Sequence, residues 1–286
     1  MRLSLLSLSL AALVALLVPA TALAATDPGL GTAGSFAVLA GTTVTNTGPS
    51  WITGELGVAP GSAVTGFPPG TSGVQHKGDS VATTAETNLT AAYTNAAAQP
   101  CPGTNNFTGV NLGGKILVPG VYCQTTAPTL TGTLTLNGSG IYIFQIGSTL
   151  VTASGASVVL LGGAQPCQIF WVVGSSATIA TSTTFVGNIM ALTTIAMQTG
   201  ATLNGRALAR NGAVTLDTNR IIQSGGCGFA AAAFVAPPNG NILPASLGVP
   251  FELRGQFPWL LLIAVAAGVG ATALGVSNRR RRRRTA

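Results

Sequence analysis

The sequence predicts an all-β chain with one long α-helix, its short strands wound in parallel into a solenoid. Three observations predict this. Strand-like runs are short and closely spaced from Gly103 to Arg220. A hydroxyl pattern recurs at steps near one solenoid coil. One segment free of Gly and Pro has helical periodicity.

The strand runs include Thr133–Leu136, Ile141–Ile146, Ile169–Val173 and Ala213–Leu216. Each is rich in β-branched or aromatic residues and is bounded by Gly, Asn or Ser. Such strands fit a sandwich, a barrel or a solenoid, and internal repeats decide among them. Ser154-Gly-Ala-Ser157-Val, Thr181-Ser-Thr-Thr184-Phe and Thr199-Gly-Ala-Thr202-Leu all read hydroxyl, small, small, hydroxyl, apolar, at steps of 27 and 18 residues. A solenoid coil takes about 20 residues. The longer step implies an insertion, placed at Gly163-Ala-Gln-Pro-Cys167.

The helix is expected over residues 80–98. Val81, Ala85, Leu89, Ala92 and Ala96 follow three-and-four spacing and predict one apolar face. Asp79 or Thr83 can cap it, Thr83-Thr-Ala-Glu86 matches a capping box, and Gln99-Pro100 ends it.

The two ends set the expected address. Arg2, the apolar Leu3–Leu17 and Ala22-Leu23-Ala24 predict a signal peptide over 1–24. The domain then runs over 25–227, with an Ala-, Pro- and Gly-rich linker over 228–257. Residues 258–276 form an apolar run followed by six arginines, which predicts a membrane span with a cytoplasmic tail over 277–286. Leu243-Pro-Ala-Ser246 faintly resembles a sortase signal, a minor alternative. The predicted product is a single-pass cell-membrane protein with an extracellular, monomeric ectodomain.

Only 7% of residues are charged, but 47% are hydrophobic and spread along the chain, which argues against disorder. The net charge of +7 comes from Arg2 and Arg279–Arg284; between them six cations face six anions. No basic patch is left for nucleic acid. The single histidine, His76, sits in a loop, and the cysteines lack Cys-x-x-Cys spacing, so no metal site is expected. With six acidic residues in all and no nucleophile or phosphate motif, neither a catalytic residue nor a cofactor is expected. Cys101, Cys123, Cys167 and Cys227 form an even set in an exported chain. Of three possible pairings, nearness favours Cys101–Cys123 and Cys167–Cys227.

Phe36-Ala-Val-Leu-Ala-Gly-Thr-Thr-Val-Thr-Asn-Thr-Gly-Pro49, Gly54-Glu-Leu-Gly-Val-Ala-Pro-Gly61 and Val64-Thr-Gly-Phe-Pro-Pro-Gly70 resemble the opening of the microbial ice-binding protein family. Phe170-Trp-Val-Val-Gly-Ser-Ser-Ala177 and Asn204-Gly-Arg-Ala-Leu-Ala-Arg-Asn-Gly-Ala-Val-Thr-Leu216 continue the likeness, which spans about residues 30 to 224. The resemblance implies a right-handed, discontinuous β-solenoid of triangular section. The helix lies alongside one face, and the N-terminal strands pair out of sequence order. It also implies a flat ice-binding face, often patterned Thr-Ala/Gly-x-Thr/Asn, so that the partner is an ice crystal surface. The residues expected there are Thr152, Ser154, Ser157, Thr178, Thr181, Thr184, Thr199 and Thr202. The competing class is a surface adhesin or structural solenoid. Trp51 is the one tryptophan outside a core strand or the membrane run, which disfavours a sugar-binding face.

Overall fold

The computed structural model describes residues 24–225. Residues 1–23 and 226–286 lie outside the described residues, and with them almost all of the predicted signal peptide over 1–24, Cys227, the predicted linker over 228–257, the apolar run and the arginine tail.

Six strands come first: β1 (Phe36–Ala40), β2 (Thr43–Thr47), β3 (Trp51–Thr53), β4 (Glu55–Val58), β5 (Ala63–Thr65) and β6 (Gln75–Lys77). Helix α1 (Ser80–Ala97) follows. The first two coils then hold β7 (Ile116–Leu117), β8 (Gly120–Gln124), β9 (Thr129–Leu130), β10 (Thr133–Asn137), β11 (Tyr142–Ile146) and β12 (Leu150–Thr152). The later coils hold β13 (Ser157–Leu161), β14 (Ile169–Val173), β15 (Ala177–Ile179), β16 (Thr184–Ala191), β17 (Ile195–Met197), β18 (Thr202–Ala209), β19 (Val214–Asp217) and β20 (Arg220–Ile222).

Every named pairing is parallel, and the strands line three faces of a right-handed solenoid of triangular section. Face a stacks β8, β11, β14, the C-terminal halves of β16 and β18, then β1, β4 and β6. Face b stacks β9, β12, β15, β17, β19, β2 and β5. Face c stacks β7, β10, β13, the N-terminal halves of β16 and β18, then β20 and β3. The N-terminal strands β1, β2 and β3 therefore dock on the last coil, one per face. This is the discontinuity that the resemblance implies.

Strands β16 and β18 turn the corner from face c to face a without a break. The turn falls at Gly187 and Gly205, whose φ values are +111° and +152°. A Cβ on Gly205 would run into the Gly187 carbonyl oxygen. Coils so closely stacked admit only glycine here. The preceding coil instead breaks between β13 and β14, where a short 3₁₀ turn at Pro166–Gln168 fills the expected insertion.

Leu, Ile and Val from all three faces fill the interior. Through it runs a file of rings from successive coils: Phe107, Tyr122, Phe144, Trp171 and Phe185, with centroids 5.6, 5.4, 4.0 and 4.8 Å apart. The Trp171 indole N–H donates to the Val186 carbonyl at 2.9 Å, so its one polar atom is satisfied inside the core.

Helix α1 covers face a. Ala85, Leu89, Ala92 and Ala96 pack on Phe36, Leu39, Ile143 and Phe170 in a second apolar layer. Burying a leucine such as Leu89 stabilises by about 1.5–3 kcal/mol. Ala82 rather than Val81 is the first residue of this stripe; Val81 is 45% exposed. Three-and-four spacing runs back from Ala85 to either residue, and only the packing decides. Asp79 is the cap, accepting from the Ala82 N–H at 2.9 Å. Thr83 lies inside the first turn, so Thr83–Glu86 does not serve as a capping box. At the other end the Gln145 amide nitrogen donates to the carbonyls of Ala96, Ala97 and Gln99. It thereby satisfies carbonyls that a helix end leaves open.

The Cys101–Cys123 disulfide is formed and joins the segment after α1 to β8. Cys167 is disulfide-bonded as well. Among the described residues no helix is long and apolar enough to cross a membrane, and no group of three acidic, His or Cys side chains could hold a metal.

Candidate ice-contact faces

The eight expected contact residues do not share one plane. Ser157, Thr184 and Thr202 are register partners on face c, where the rank continues to Thr133. Ser154, Thr181 and Thr199 stack in the turns at the corner between faces b and c. Successive turns are joined there by Gly155 N–H to Thr181 O at 2.9 Å and Ser182 N–H to Thr199 O at 3.0 Å. The repeat thus marks a structural equivalence that crosses a corner. Thr199 donates its hydroxyl to Asp217, which orders the turn.

Thr152 points inward. It is 3% exposed, pairs with the Thr183 hydroxyl at 3.1 Å and accepts from the Ala180 N–H at 2.8 Å. Residues alternate across a strand, and Val151 beside it takes the outward position. A buried, satisfied hydroxyl offers nothing to a surface ligand.

Thr178 lies on face b, in a rank that sequence spacing does not reveal. Register pairs set Thr129, Val151, Thr178, Ala196, Thr215, Thr45 and Thr65 side by side, one from each of the seven strands. Five of the seven are threonines, and all point away from the buried Leu, Val and Ile of the same strands. Two residues earlier, Thr149, Ser176 and Thr194 form a parallel rank that Ala213 separates from Thr43. Neighbours stand about 4.8 Å apart between coils and about 6.7 Å along a strand. Among the described residues, none of the five hydroxyls in the first rank bonds to another protein group, so each is open to water. The outward positions of these strands carry a single charge, Asp217 at one margin.

The other two faces suit a solvent lattice less well. Face a lies under α1. Face c is uneven and apolar: Ile116, Val159, Leu161 and Ile222 are exposed. Its hydroxyl rank is partly self-satisfied, with Thr133 and Ser157 bonded at 2.9 Å, and stops at Arg220. Arg220 lies 4.9 Å over the Trp51 ring, so that ring is not an open platform for a sugar. Face b was missed in the sequence because its strands are mostly two to five residues long and its threonines come from positions 43 to 215. Only the pairing brings them together.

A model of the Ice-binding-like family matches residues 38–222. An ice-binding protein of Nostoc sp. (strain HG1) is 50% identical over 237 residues, covering 80% of this chain and 87% of that one. An ice-binding protein of Flavobacterium frigoris (strain PS1) is 37% identical over 207 residues, 67% of this chain and 75% of that one. Among solved structures, an ice-binding protein from an Antarctic biological consortium aligns with a TM-score of 0.69 at 44% identity, covering 72% of this chain and 95% of that one. One from the ascomycete Antarctomyces psychrotrophicus aligns at 0.67 and 40% identity, covering 70% and 100%. With its discontinuous solenoid, its covering helix and this span of likeness, the chain belongs to the Ice-binding-like family.

Proposed function

We propose that this protein adsorbs to ice through face b. The observation that carries the reading is the seven-strand rank from Thr129 to Thr65. Each threonine presents a methyl and a hydroxyl from a stiff strand. The hydroxyl holds a water by one hydrogen bond, and the methyl limits the other positions that water can take. A rigid array of such points orders water at little further entropic cost when ice arrives. Mobile lysine and glutamate heads would disturb it, and none lies on the face. The names of the relatives support the same ligand. The act is adsorption, and no covalent step is assigned.

Of the residues expected from the sequence, Thr178 stays on this face, and Ser154, Thr181 and Thr199 form its rim. Ser157, Thr184 and Thr202 lie beyond the rim. The apolar run over 258–276 and the six arginines after it support a tether that would hold the domain at the outer surface of the cell membrane.

The test is partition of the purified full-length chain into a growing ice hemisphere, with thermal hysteresis measured alongside. Wild type should enrich in the ice, and Thr178→Tyr should enrich less while keeping its circular dichroism. Equal exclusion of wild type and a non-binding control protein would refute the proposal.

A further inference from the structure

The hydroxyls of face b are unevenly spread. In the first rank Thr215, Thr45 and Thr65 are adjacent, on β19, β2 and β5. Ala196 then interrupts it, and Val151 separates Thr178 from Thr129. Where Ala196 stands, a shallow groove opens, lined by Thr181, Gln198, Thr199, Thr215 and Asp217. In the neighbouring rank the Ser176 hydroxyl is taken up by Thr193 at 2.7 Å. Strand β2 differs from every other strand of the face: Thr43, Thr45 and Thr47 all point outward, and the latter two are exposed. Thr47 sits opposite Asp217 and Thr45 opposite Thr215.

Resting on the ice-binding reading, we infer that β2 with Thr65 and Thr215 is the anchoring patch of the face, and that Ala196 is the residue that limits its extent. Water held by one threonine can bond to water held by the next only where hydroxyls occupy neighbouring coils. Three adjacent coils with a threonine each, and three threonines along the middle one, make the largest unbroken lattice on the face. Beyond Ala196 the spacing within the rank doubles, and the floor is concave. Binding energy concentrates in a few well-placed side chains, and the others contribute fit. The anchor is thus supplied by an N-terminal strand that reaches face b only by docking out of sequence order.

Three substitutions in the purified full-length chain test this, each matched to wild type by circular dichroism and read by ice partition. Thr45→Tyr should lower ice affinity by about tenfold or more, and Thr129→Tyr, at the far edge, by no more than about twofold. Ala196→Thr should raise affinity by joining the two halves of the rank. Equal losses at positions 45 and 129, or no gain from Ala196→Thr, would overturn the inference while leaving ice binding through face b in place. Absence of partition in wild type would instead remove the underlying reading. If Thr45→Tyr does not fold, Thr45→Val keeps the shape and removes only the hydroxyl. It must then lose more affinity than Thr129→Val.

Discussion

Arg206 shows how much one side chain can carry. It is 4% exposed, and none of its hydrogen-bond partners is a carboxylate. Its guanidinium donates to the Gly34 carbonyl at 2.9 and 2.7 Å, to Asn188 Oδ1 at 2.8 Å, and to the Ser224 hydroxyl and carbonyl at 3.0 and 2.9 Å. Five donors in a fixed fork match acceptors from three separated segments. Arg206→Met should cost about 3 kcal/mol or more in urea unfolding, because it leaves buried acceptors unpaired. Glu86 on α1 is the opposite case. Both its carboxylate oxygens are buried without a partner, and burial pushes its pKa up from the ordinary 4.5 to about 8, against the pull of Arg210. The folded state then binds the proton more tightly than the unfolded chain. Glu86 therefore contributes stability that is full below about 4.5 and lost as pH rises through about 8. Glu86→Gln should flatten that slope in unfolding curves from pH 4 to pH 9; an unchanged slope would assign it to other groups. Neither role was legible in the sequence, where Glu86 reads as the end of a capping box and Arg206 as one residue of a motif and of a balanced charge set.

At the scale of elements, legibility followed locality. The helix was readable because its period lies within eighteen consecutive residues; the choices between Val81 and Ala82 on its face and between Asp79 and Thr83 as its cap needed the structure. The coil repeat was readable because Ser157, Thr184 and Thr202 recur at one structural position on successive turns. Face b was not readable. Strands such as Ala177–Ile179 and Ile195–Met197 expose one central residue each, too little for any periodicity to show. Inward Thr152 and outward Thr178 cannot be told apart by residue type, since both are strand threonines. The corner glycines give the prediction for this scale. Gly205→Ala should destabilise by more than about 3 kcal/mol, with loss of near-ultraviolet circular dichroism, because its positive φ and its contact with Gly187 both exclude a Cβ. Gly155→Ala, with a positive φ but open space around it, should cost less.

Across the whole molecule, the solenoid and its discontinuity followed the resemblance, but the plane to which ice is now assigned needed the pairing of distant strands. Truncation before residue 258 should leave the domain in the soluble fraction, and a truncated chain that still sediments with membranes would contradict the proposed tether. The out-of-order docking also orders events in time. Strands β1 and β2 leave the ribosome early, yet their partners β18 and β19 come much later, and Gly34 meets Arg206 across 172 residues. Contacts of such separation form slowly and depend on the rest of the chain. The middle coils can stack as they are made, whereas the segment that carries Thr45 can pair early with β5 alone, and its other edge must wait for nearly the entire domain. A chain halted anywhere before β19 would be a partly built solenoid without its richest row of threonines. Competence for ice is therefore expected to appear late and abruptly, as the first-made strands close over the last.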